Sequence, residues 1–220
     1  MIEYKSMSLS NQVFEKIEYN ILSGEYRIGE IISEKRLSSE LGVSRTPIRE
    51  ALGRLSEEGL VGDSPSGTVV LGITAKDVDD FYEVKRRLET LAACRACRLM
   101  DEAGLRELED IVEHQEFYAA KDDAEKIRDL DTNFHAAIYK YCGSRVLEKI
   151  LSPLHRKIIK YRSASLKNSR DRRLESIKEH REIYEAIKER DEAKLERLME
   201  FHIENAYKSI CEFGDEQEIG

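Results

Sequence analysis

Glycine is distributed unevenly along this chain of 220 residues, and that distribution limits the folds open to it. Eight of the twelve glycines lie before residue 73, and only four follow. Because glycine favours turns and interrupts regular elements, the first part should hold short elements joined by tight turns. The remainder is free to form long helices. The sequence therefore predicts two domains, residues 1–72 and residues 73–220.

The first domain begins with three predicted helices. Apolar residues recur along each of them at steps of three and four, which is the spacing of a helix with one buried face. Gly42 stands between the second and third helices, where a left-handed C-cap would form, and Ser33 can cap the second helix. Pro47 is acceptable in the first turn of the third. The helices are expected over residues 10–22, 33–41 and from 44 or 46 to 58.

Two short β-like runs complete the first domain. Residues 60–61 and 68–71 are rich in Leu and Val, and residues 62–67 between them have turn chemistry. A small hairpin is expected here. Together with the helix pair before it, this order of elements predicts a winged helix-turn-helix.

The second domain shows no comparable strand pattern, and its apolar residues keep helical periodicity to the end. Short connections favour antiparallel neighbours. The predicted fold class is therefore mainly α, with an all-α antiparallel helical bundle as the second domain. Its six helices are expected over residues 74–100, 103–120, 123–141, 145–165, 171–189 and 192–212.

The third predicted helix has two chemically different faces. Its apolar residues, starting at Ile48, group on one side of a helical wheel, while Arg45, Thr46 and Arg49 group well away from them. Arginine can bond guanine bidentately in the major groove, so Arg45 and Arg49 are candidates for base readout. Ser44 and Thr46, at the helix N-terminus, suit phosphate. The alternative is an ordinary solvated face.

The charge balance limits the partners of the chain. Residues 1–72 carry 8 Lys and Arg against 11 Asp and Glu, so DNA affinity would depend on the placement of charges and not on a basic excess. The net charge of the whole chain is −8, which argues against nonspecific polyanion binding. No apolar stretch approaches the ~20 residues of a membrane span, and no signal peptide opens the chain. A cytoplasmic protein without membrane contact is expected.

The four cysteines do not indicate a zinc site or a redox motif. Cys94 and Cys97 form a C-x-x-C, but no second pair completes a zinc site and no βαβ pattern surrounds them. With Cys142 and Cys211, they are expected to be reduced thiols of the core.

Histidines and one aspartate form a candidate metal site in the second domain. Asp131 and His135 are four residues apart and share a helix face. His180 and His202 each lie 11 residues from Asp191, so an antiparallel reversal there would place them at the same height. Three imidazoles and a carboxylate suit Zn²⁺, Ni²⁺, Co²⁺ or Mn²⁺. The alternative is a simple Asp131–His135 helix ion pair beside two unrelated histidines.

Residues 41–52, which read LGVSRTPIREAL, carry a family resemblance. They and their surroundings, over about residues 8–72, closely resemble the N-terminal domain of the GntR family of bacterial transcription regulators. In that family the helix with this pattern enters the major groove of DNA. The resemblance implies that the DNA-contacting residues are Lys35, Ser44, Arg45, Thr46, Arg49 and the wing glycine Gly67.

The second domain, from about residue 76 to 212, looks like the all-helical FCD domain of the FadR subfamily. The matching segments are YEVKRRLE at residues 82–89, the D-x-x-F-H-x-x-I pattern at residues 131–138, and residues 180–195. In metal-binding members such residues hold a divalent ion. By resemblance the ligands are Asp131, His135, His180 and His202, whereas His114 and His155 fall outside the site.

Two positions depart from the family pattern. Many relatives have Arg just before the wing glycine, where this chain has Ser66, so the wing lacks that contact. Relatives commonly have Arg where this chain has Lys85. Arg can grip a carboxylate bidentately and Lys is a point charge, so Lys85 is predicted to contact the effector with a different geometry.

These observations together predict a sequence-specific DNA-binding transcription regulator and not an enzyme. A homodimer is expected to bind a pseudo-palindromic double-stranded operator, because one chain presents only one recognition helix. Control is expected from a small effector, a carboxylate, bound at or near the divalent metal. Two alternatives stay open. The metal could be purely structural, or the site could belong to a metal-dependent hydrolase, for which the sequence shows no separate general base.

Overall fold

The computed structural model of the chain describes residues 8–165 and 170–214. The chain divides into two compact units, Met1–Thr74 and Ala75–Gly220. This division lies two residues beyond the expected boundary at residue 72. Each unit has its own buried apolar core.

The first unit contains three helices and a three-stranded sheet in its described part. Each helix begins and ends within one residue of its predicted position. In chain order the elements are α1 (Leu9–Leu22), β1 (Ile31–Ile32), α2 (Glu34–Leu41), α3 (Arg45–Glu57), β2 (Val61–Ser64) and β3 (Gly67–Val70).

The wing is larger than the hairpin that the sequence predicted, because a third strand, β1, joins it. The strand order is β1-β3-β2, all antiparallel, with Ile31 opposite Val69. A strand of two residues is too short to show an alternating pattern, which explains the omission. Gly67 opens β3 with φ 134°, and a Cβ at this position would lie 3.3 Å from the carbonyl oxygen of Ile32. Glycine therefore lets β1 approach closely.

The turn between α2 and α3 forms as the sequence predicted. The Ser33 hydroxyl caps α2 by accepting a hydrogen bond from the backbone N–H of Arg36 at 3.2 Å. Gly42 ends α2 in the left-handed conformation, with φ 66°, and its N–H donates to the carbonyl of Ser38. Ser44 follows at the N-cap of α3, but its hydroxyl makes no capping hydrogen bond. The helix therefore does not use that hydroxyl.

Helix α3 packs one face into the unit and leaves the other outside. Ile48 and Leu55 are fully buried, and α3 lies against α1 and α2. The Arg54 guanidinium covers the Phe14 ring of α1 at 3.9 Å and donates to Asn11 Oδ1 at 2.7 Å. These contacts fix the rotation of α3 about its axis, so that the opposite face points away from the core.

The second unit is an all-α bundle, as predicted, and the mainly α fold class is confirmed. Helix α4 packs against four other helices, and consecutive helices lie side by side in most cases. Within residues 75–165 and 170–214, the six helices are α4 (Ala75–Leu99), α5 (Glu102–Ala120), α6 (Ala124–Tyr141), α7 (Arg145–Ser165), α8 (Arg170–Lys188) and α9 (Glu192–Gly214).

Over the described residues, no helix is long and apolar enough to cross a membrane. All four cysteines are free thiols, and three of them are buried in the bundle.

The interior of the bundle is unusual in its polar content. Four histidines are buried together with a lysine, two glutamates and a glutamine, whereas such residues are mostly exposed in proteins. Buried charges require partners, because an isolated ion is strongly destabilised away from water. The inner residues are Lys85, Glu89, Gln115, His135, His155, Glu179, His180 and His202.

Candidate DNA-reading face and metal centre

The predicted DNA-reading residues are all exposed in the first unit. Ser44, Arg45, Thr46 and Arg49 are all exposed, at the N-terminal end of α3. Lys35 is exposed on α2, one position after its first residue. Gly67 lies at the turn of the wing, where β2 meets β3.

The side chain of Arg49 is held in one orientation. Its Nε and Nη2 donate to the two carboxylate oxygens of Glu34, each at 3.0 Å. The Arg49 side chain is 72% exposed, so the pair adds little to stability. Its effect is to position a guanidinium that would otherwise sample many rotamers. Sequence spacing does not indicate this pairing, because Glu34 and Arg49 are fifteen positions apart.

Three of the predicted metal ligands converge in the bundle. His135 lies on α6, His180 on α8 and His202 on α9, and each offers a ring nitrogen within 4.8 Å of the others. The ring centroids of His180 and His202 are 4.9 Å apart, and each lies 5.3 Å from that of His135. All three side chains are almost fully buried.

An outer acceptor faces the Nδ1 atom of each of these three rings. His180 Nδ1 is 3.0 Å from Gln115 Oε1, and His202 Nδ1 is 2.6 Å from Glu179 Oε2. His135 Nδ1 is 2.6 Å from Glu89 Oε1, although the two atoms are not aligned as a hydrogen bond. These acceptors favour the Nδ1–H tautomer, which leaves each Nε2 lone pair for a metal ion.

Glu179 is itself held by further groups. Arg172 donates to both of its carboxylate oxygens at 2.9 Å, and Asn205 Nδ2 donates to Oε1 at 2.8 Å. Burial alone would raise the pKa of Glu179, but its bonds to His202 and Arg172 lower the pKa to about 2. The acceptor behind His202 is therefore an ionised carboxylate.

Asp131 lies at the edge of the histidine cluster. Its Oδ1 is 3.9 Å from His180 Nε2, and its Oδ2 is 3.2 Å from His155 Nε2. The contact with His155 is not aligned as a hydrogen bond, so Oδ2 and both Nε2 atoms are buried without a hydrogen-bonding partner among the described residues. Unpaired buried polar atoms that face one another suit a cation between them.

His155, which the sequence predicts to fall outside the site, lies directly beside it. The ring centroid of His155 lies 4.2 Å from that of His135. His114, in contrast, is exposed, and its Nδ1 contacts the backbone oxygen of Asp110 in the same helix. Nor is Asp131–His135 an isolated helix pair, since Asp131 contacts two other histidines and His135 contacts Glu89.

Lys85 and Glu89 form the inner wall of the cluster. Lys85 Nζ lies 3.1 Å from Glu89 Oε2 and 3.3 Å from His155 Nδ1. The Tyr139 hydroxyl donates a hydrogen bond to Glu89. The ammonium predicted to contact an effector thus already has a carboxylate and an imidazole beside it. Together, Lys85, Glu89 and Asp131 carry one excess negative charge, which favours a cation nearby.

Protonation in the cluster suits metal binding. Burial alone would raise the pKa of Asp131, but His155 and the neighbouring histidines hold it well below its usual range. Burial lowers the pKa of His180 well below its usual range, with a further contribution from His202, and burial also lowers the pKa of His202. An ionised carboxylate beside neutral imidazoles is the form that binds a divalent ion.

A small cavity of about 30 Å³ is lined by Asp131 and His180, together with Gln115 behind His180. A cavity needs roughly 10–15 Å³ for each water, so this one holds about two. Lys85 is not part of its wall. The wall includes four arginines, which are Arg128, Arg162, Arg172 and Arg173.

The residues missed by the sequence analysis share a recognisable pattern. Gln115 follows Leu108 and Val112 at helical spacing, and His155 follows Leu151 in the same way. A polar side chain within an apolar stripe predicts a buried polar site. Glu89 could have been found likewise, on the buried face of α4.

Comparisons with known proteins agree with this architecture. The family model for bacterial regulatory proteins of the gntR family matches residues 9–70, and the FCD domain model matches residues 80–205. The fold and these matches define a DNA-binding transcription regulator with a winged helix-turn-helix and a helical FCD domain. The chain belongs to the GntR family, in the FadR subfamily that carries this domain.

Individual relatives support the same assignment. An uncharacterised HTH-type transcriptional regulator of Bacillus subtilis, YdhC, is 33% identical over 212 residues, 93% of each chain. The gluconate operon transcriptional repressor of the same organism is 30% identical over 143 residues, 65% of this chain and 59% of its own. The solved structure of Escherichia coli McbR/YncC has a TM-score of 0.69 at 22% identity, covering 96% of this chain and all of its own, and shows the fold.

Proposed function

We propose that this regulator binds a pseudo-palindromic operator as a homodimer and responds to a small carboxylate held at a divalent metal ion in the helical unit. The observation that carries the proposal is the convergence of His135, His180 and His202. Each ring has an acceptor facing its Nδ1 atom. Each ring also offers one nitrogen as a ligand atom, and these three ligand atoms lie within 4.8 Å of one another. Such outer acceptors are typical of metal-binding histidines.

The first unit would read DNA through α3. Arg45 and Arg49 have the chemistry for guanine edges, and the Ser44 hydroxyl, which the helix does not use, suits a phosphate. Thr46 and Lys35 would make further base or phosphate contacts, and Gly67 would let the wing approach the sugar-phosphate backbone of the DNA. Glu34 contributes by fixing Arg49 before DNA arrives.

Dimerisation is supported by an exposed apolar surface on the second unit, here called the α4/α7 face. Helices α4 and α7 pack against each other, and Leu99 approaches Gly143 just before α7. Large apolar side chains left open on adjacent helices indicate a protein interface. The face consists of Val84, Leu91, Leu99, Val146 and Ile150.

The metal would be held by Asp131, His135, His180 and His202. The ion supplies a positive centre with positions open to an oxygen ligand, and Zn²⁺, Ni²⁺, Co²⁺ and Mn²⁺ all fit a site rich in nitrogen. The two-water cavity at Asp131 and His180 provides such positions, which favours a regulatory site over a closed structural one.

The charges around the cavity favour an anionic effector. Arg172 and Arg173 are paired with Glu179 and Asp122, whereas Arg128 and Arg162 form no ion pair with the described residues. A carboxylate could replace the waters at the metal and pair with these two guanidinium groups. The effector contact predicted for Lys85 is therefore better assigned to the arginine side of the site.

Thermal unfolding with matched ligands tests this proposal. Gluconate is a suitable first probe, because the name of one relative refers to gluconate, and lactate and acetate extend the series. A carboxylate at ten times its Kd should raise the Tm of the zinc-loaded protein by about 3 °C or more, and the corresponding neutral amide should not. Arg162→Gln should weaken the effect, while Arg145→Gln, an exposed residue of the same helix, should not.

Two results would contradict the proposal. One is the absence of any shift across the carboxylate series. The other is an equal shift in protein stripped of metal.

A further inference from the structure

His155 differs from the other three buried histidines in what faces its Nδ1 atom. His135, His180 and His202 each present Nδ1 to an oxygen acceptor. His155 presents Nδ1 to the ammonium group of Lys85, at 3.3 Å. An ammonium group can only donate hydrogen bonds, so the environment of this ring is the reverse of the others.

The tautomer of His155 follows from that contact. An N–H bond at Nδ1 would point at the ammonium group of Lys85, which cannot accept it, so Nδ1 is bare and the ring is neutral. A neutral ring carries one proton. Because Nδ1 accepts from Lys85, the proton must be on Nε2, which is the atom 3.2 Å from Asp131 Oδ2.

We propose that Lys85 locks His155 in the Nε2–H tautomer, which makes His155 a positioning residue for Asp131 and keeps it out of the metal shell. A protonated Nε2 has no lone pair for a metal ion, whereas it can donate to a carboxylate after a small rotation. The inference rests on the proposed metal site, and it goes beyond that site by distinguishing the three imidazoles that would bind the ion from a fourth that would not.

Lys85 also limits the cluster to one ion. Glu89, His135 and His155 form a second group whose ligand atoms lie within 4.8 Å of one another. The ammonium of Lys85 is 3.1 Å from Glu89 and 3.3 Å from His155. The positive charge that these ligand atoms would attract is therefore already present. A fifth protein ligand or a second ion would leave less room for an effector. The lysine thus preserves the open positions that the proposed function needs.

Nitrogen NMR of the histidine rings tests the tautomer directly. Long-range ¹H–¹⁵N correlation spectra of ¹⁵N-histidine-labelled protein distinguish protonated, bare and metal-bound ring nitrogens. With zinc, His155 should show a protonated Nε2 and a bare Nδ1, whereas the other three buried rings should show a protonated Nδ1 and a zinc-bound Nε2. His155→Gln identifies the resonances. If that variant does not fold, one reversed pattern among four buried rings still decides.

Two variants of Lys85 provide a matched comparison. Lys85→Arg retains a cationic donor and should preserve the Nε2–H form of His155. Lys85→Met has no donor and should release Nδ1, so that the Nδ1–H form appears and Nε2 becomes able to bind zinc.

The results separate this inference from the proposed function. Protein that binds no zinc would refute the metal site, but its spectrum would still report the tautomer, because the Lys85 contact does not involve the ion. A protonated Nδ1 on His155 in the unmodified protein, or a zinc-bound Nε2, would overturn the inference.

Discussion

At the scale of single residues, several side chains depend on a second group that fixes their direction. Glu34 accepts two hydrogen bonds from Arg49 on the candidate DNA-reading face. Glu89, Gln115 and Glu179 set the ring orientation of three histidines in the bundle. Fixing a group before its ligand arrives lowers the entropy lost on binding. In both candidate sites, a residue proposed to contact the ligand is therefore held by a second, positioning residue.

Arg49→Ala is expected to weaken specific operator binding by about 1–3 kcal/mol, because it removes a candidate bidentate contact to a guanine. Titrations on the operator and on a scrambled duplex, at one salt concentration, measure the effect. The loss should be confined to the operator. Arg87→Ala is the control, since it removes another exposed arginine paired with a glutamate, in the other unit. Unchanged operator affinity of Arg49→Ala would exclude the base contact.

The sequence alone was enough to identify the residues at helix ends and on amphipathic faces. The caps at Ser33 and Gly42 follow from local backbone chemistry, so they could be predicted. Helical spacing can mark His155 and Glu89 as buried polar residues, but it could not give their partners, because these depend on which helices meet in the bundle. Contacts between residues seventy positions apart, such as Lys85 and His155, are set by tertiary packing.

At the scale of elements, the six helices of the second unit have two tasks. Their inner faces gather polar residues from α4, α5, α6, α7, α8 and α9 around one centre. Two of the helices also carry the exposed α4/α7 face. The number and extent of the helices were predictable from periodicity, whereas strand β1 was not, because it consists of only two residues.

Charging the α4/α7 face should separate the dimer without unfolding the chain. Val146 is 68% exposed, so Val146→Glu removes no core contact, but it would place a charge in a desolvated interface. The dimer dissociation constant should rise at least tenfold, about 1.4 kcal/mol, in sedimentation equilibrium. Affinity for a single half-site should not change. Phe117→Glu, at an exposed aromatic residue of α5, is the control.

A dimer as stable in Val146→Glu as in the unmodified protein would assign the interface elsewhere. A strict monomer at micromolar concentration, free and on DNA, would contradict dimeric operator binding altogether.

At the scale of the whole molecule, two units with different chemistry share one chain. The first presents exposed arginines at the N-terminal end of α3, and the second encloses a nitrogen-rich centre beside an arginine-lined cavity. Dimerisation would present two reading heads to two half-sites, and an effector at the metal would change how they are presented. In the proposed function, this control depends on metal binding.

Zinc binding to the full chain tests the central claim most directly. After equilibration with zinc and removal of the excess, elemental analysis should find one zinc per chain in the unmodified protein and in His114→Ala, whose histidine is exposed. His135→Ala and His202→Ala should lose most of it, and chelation should lower the Tm of the unmodified protein. Full zinc content in both of these variants would contradict the account.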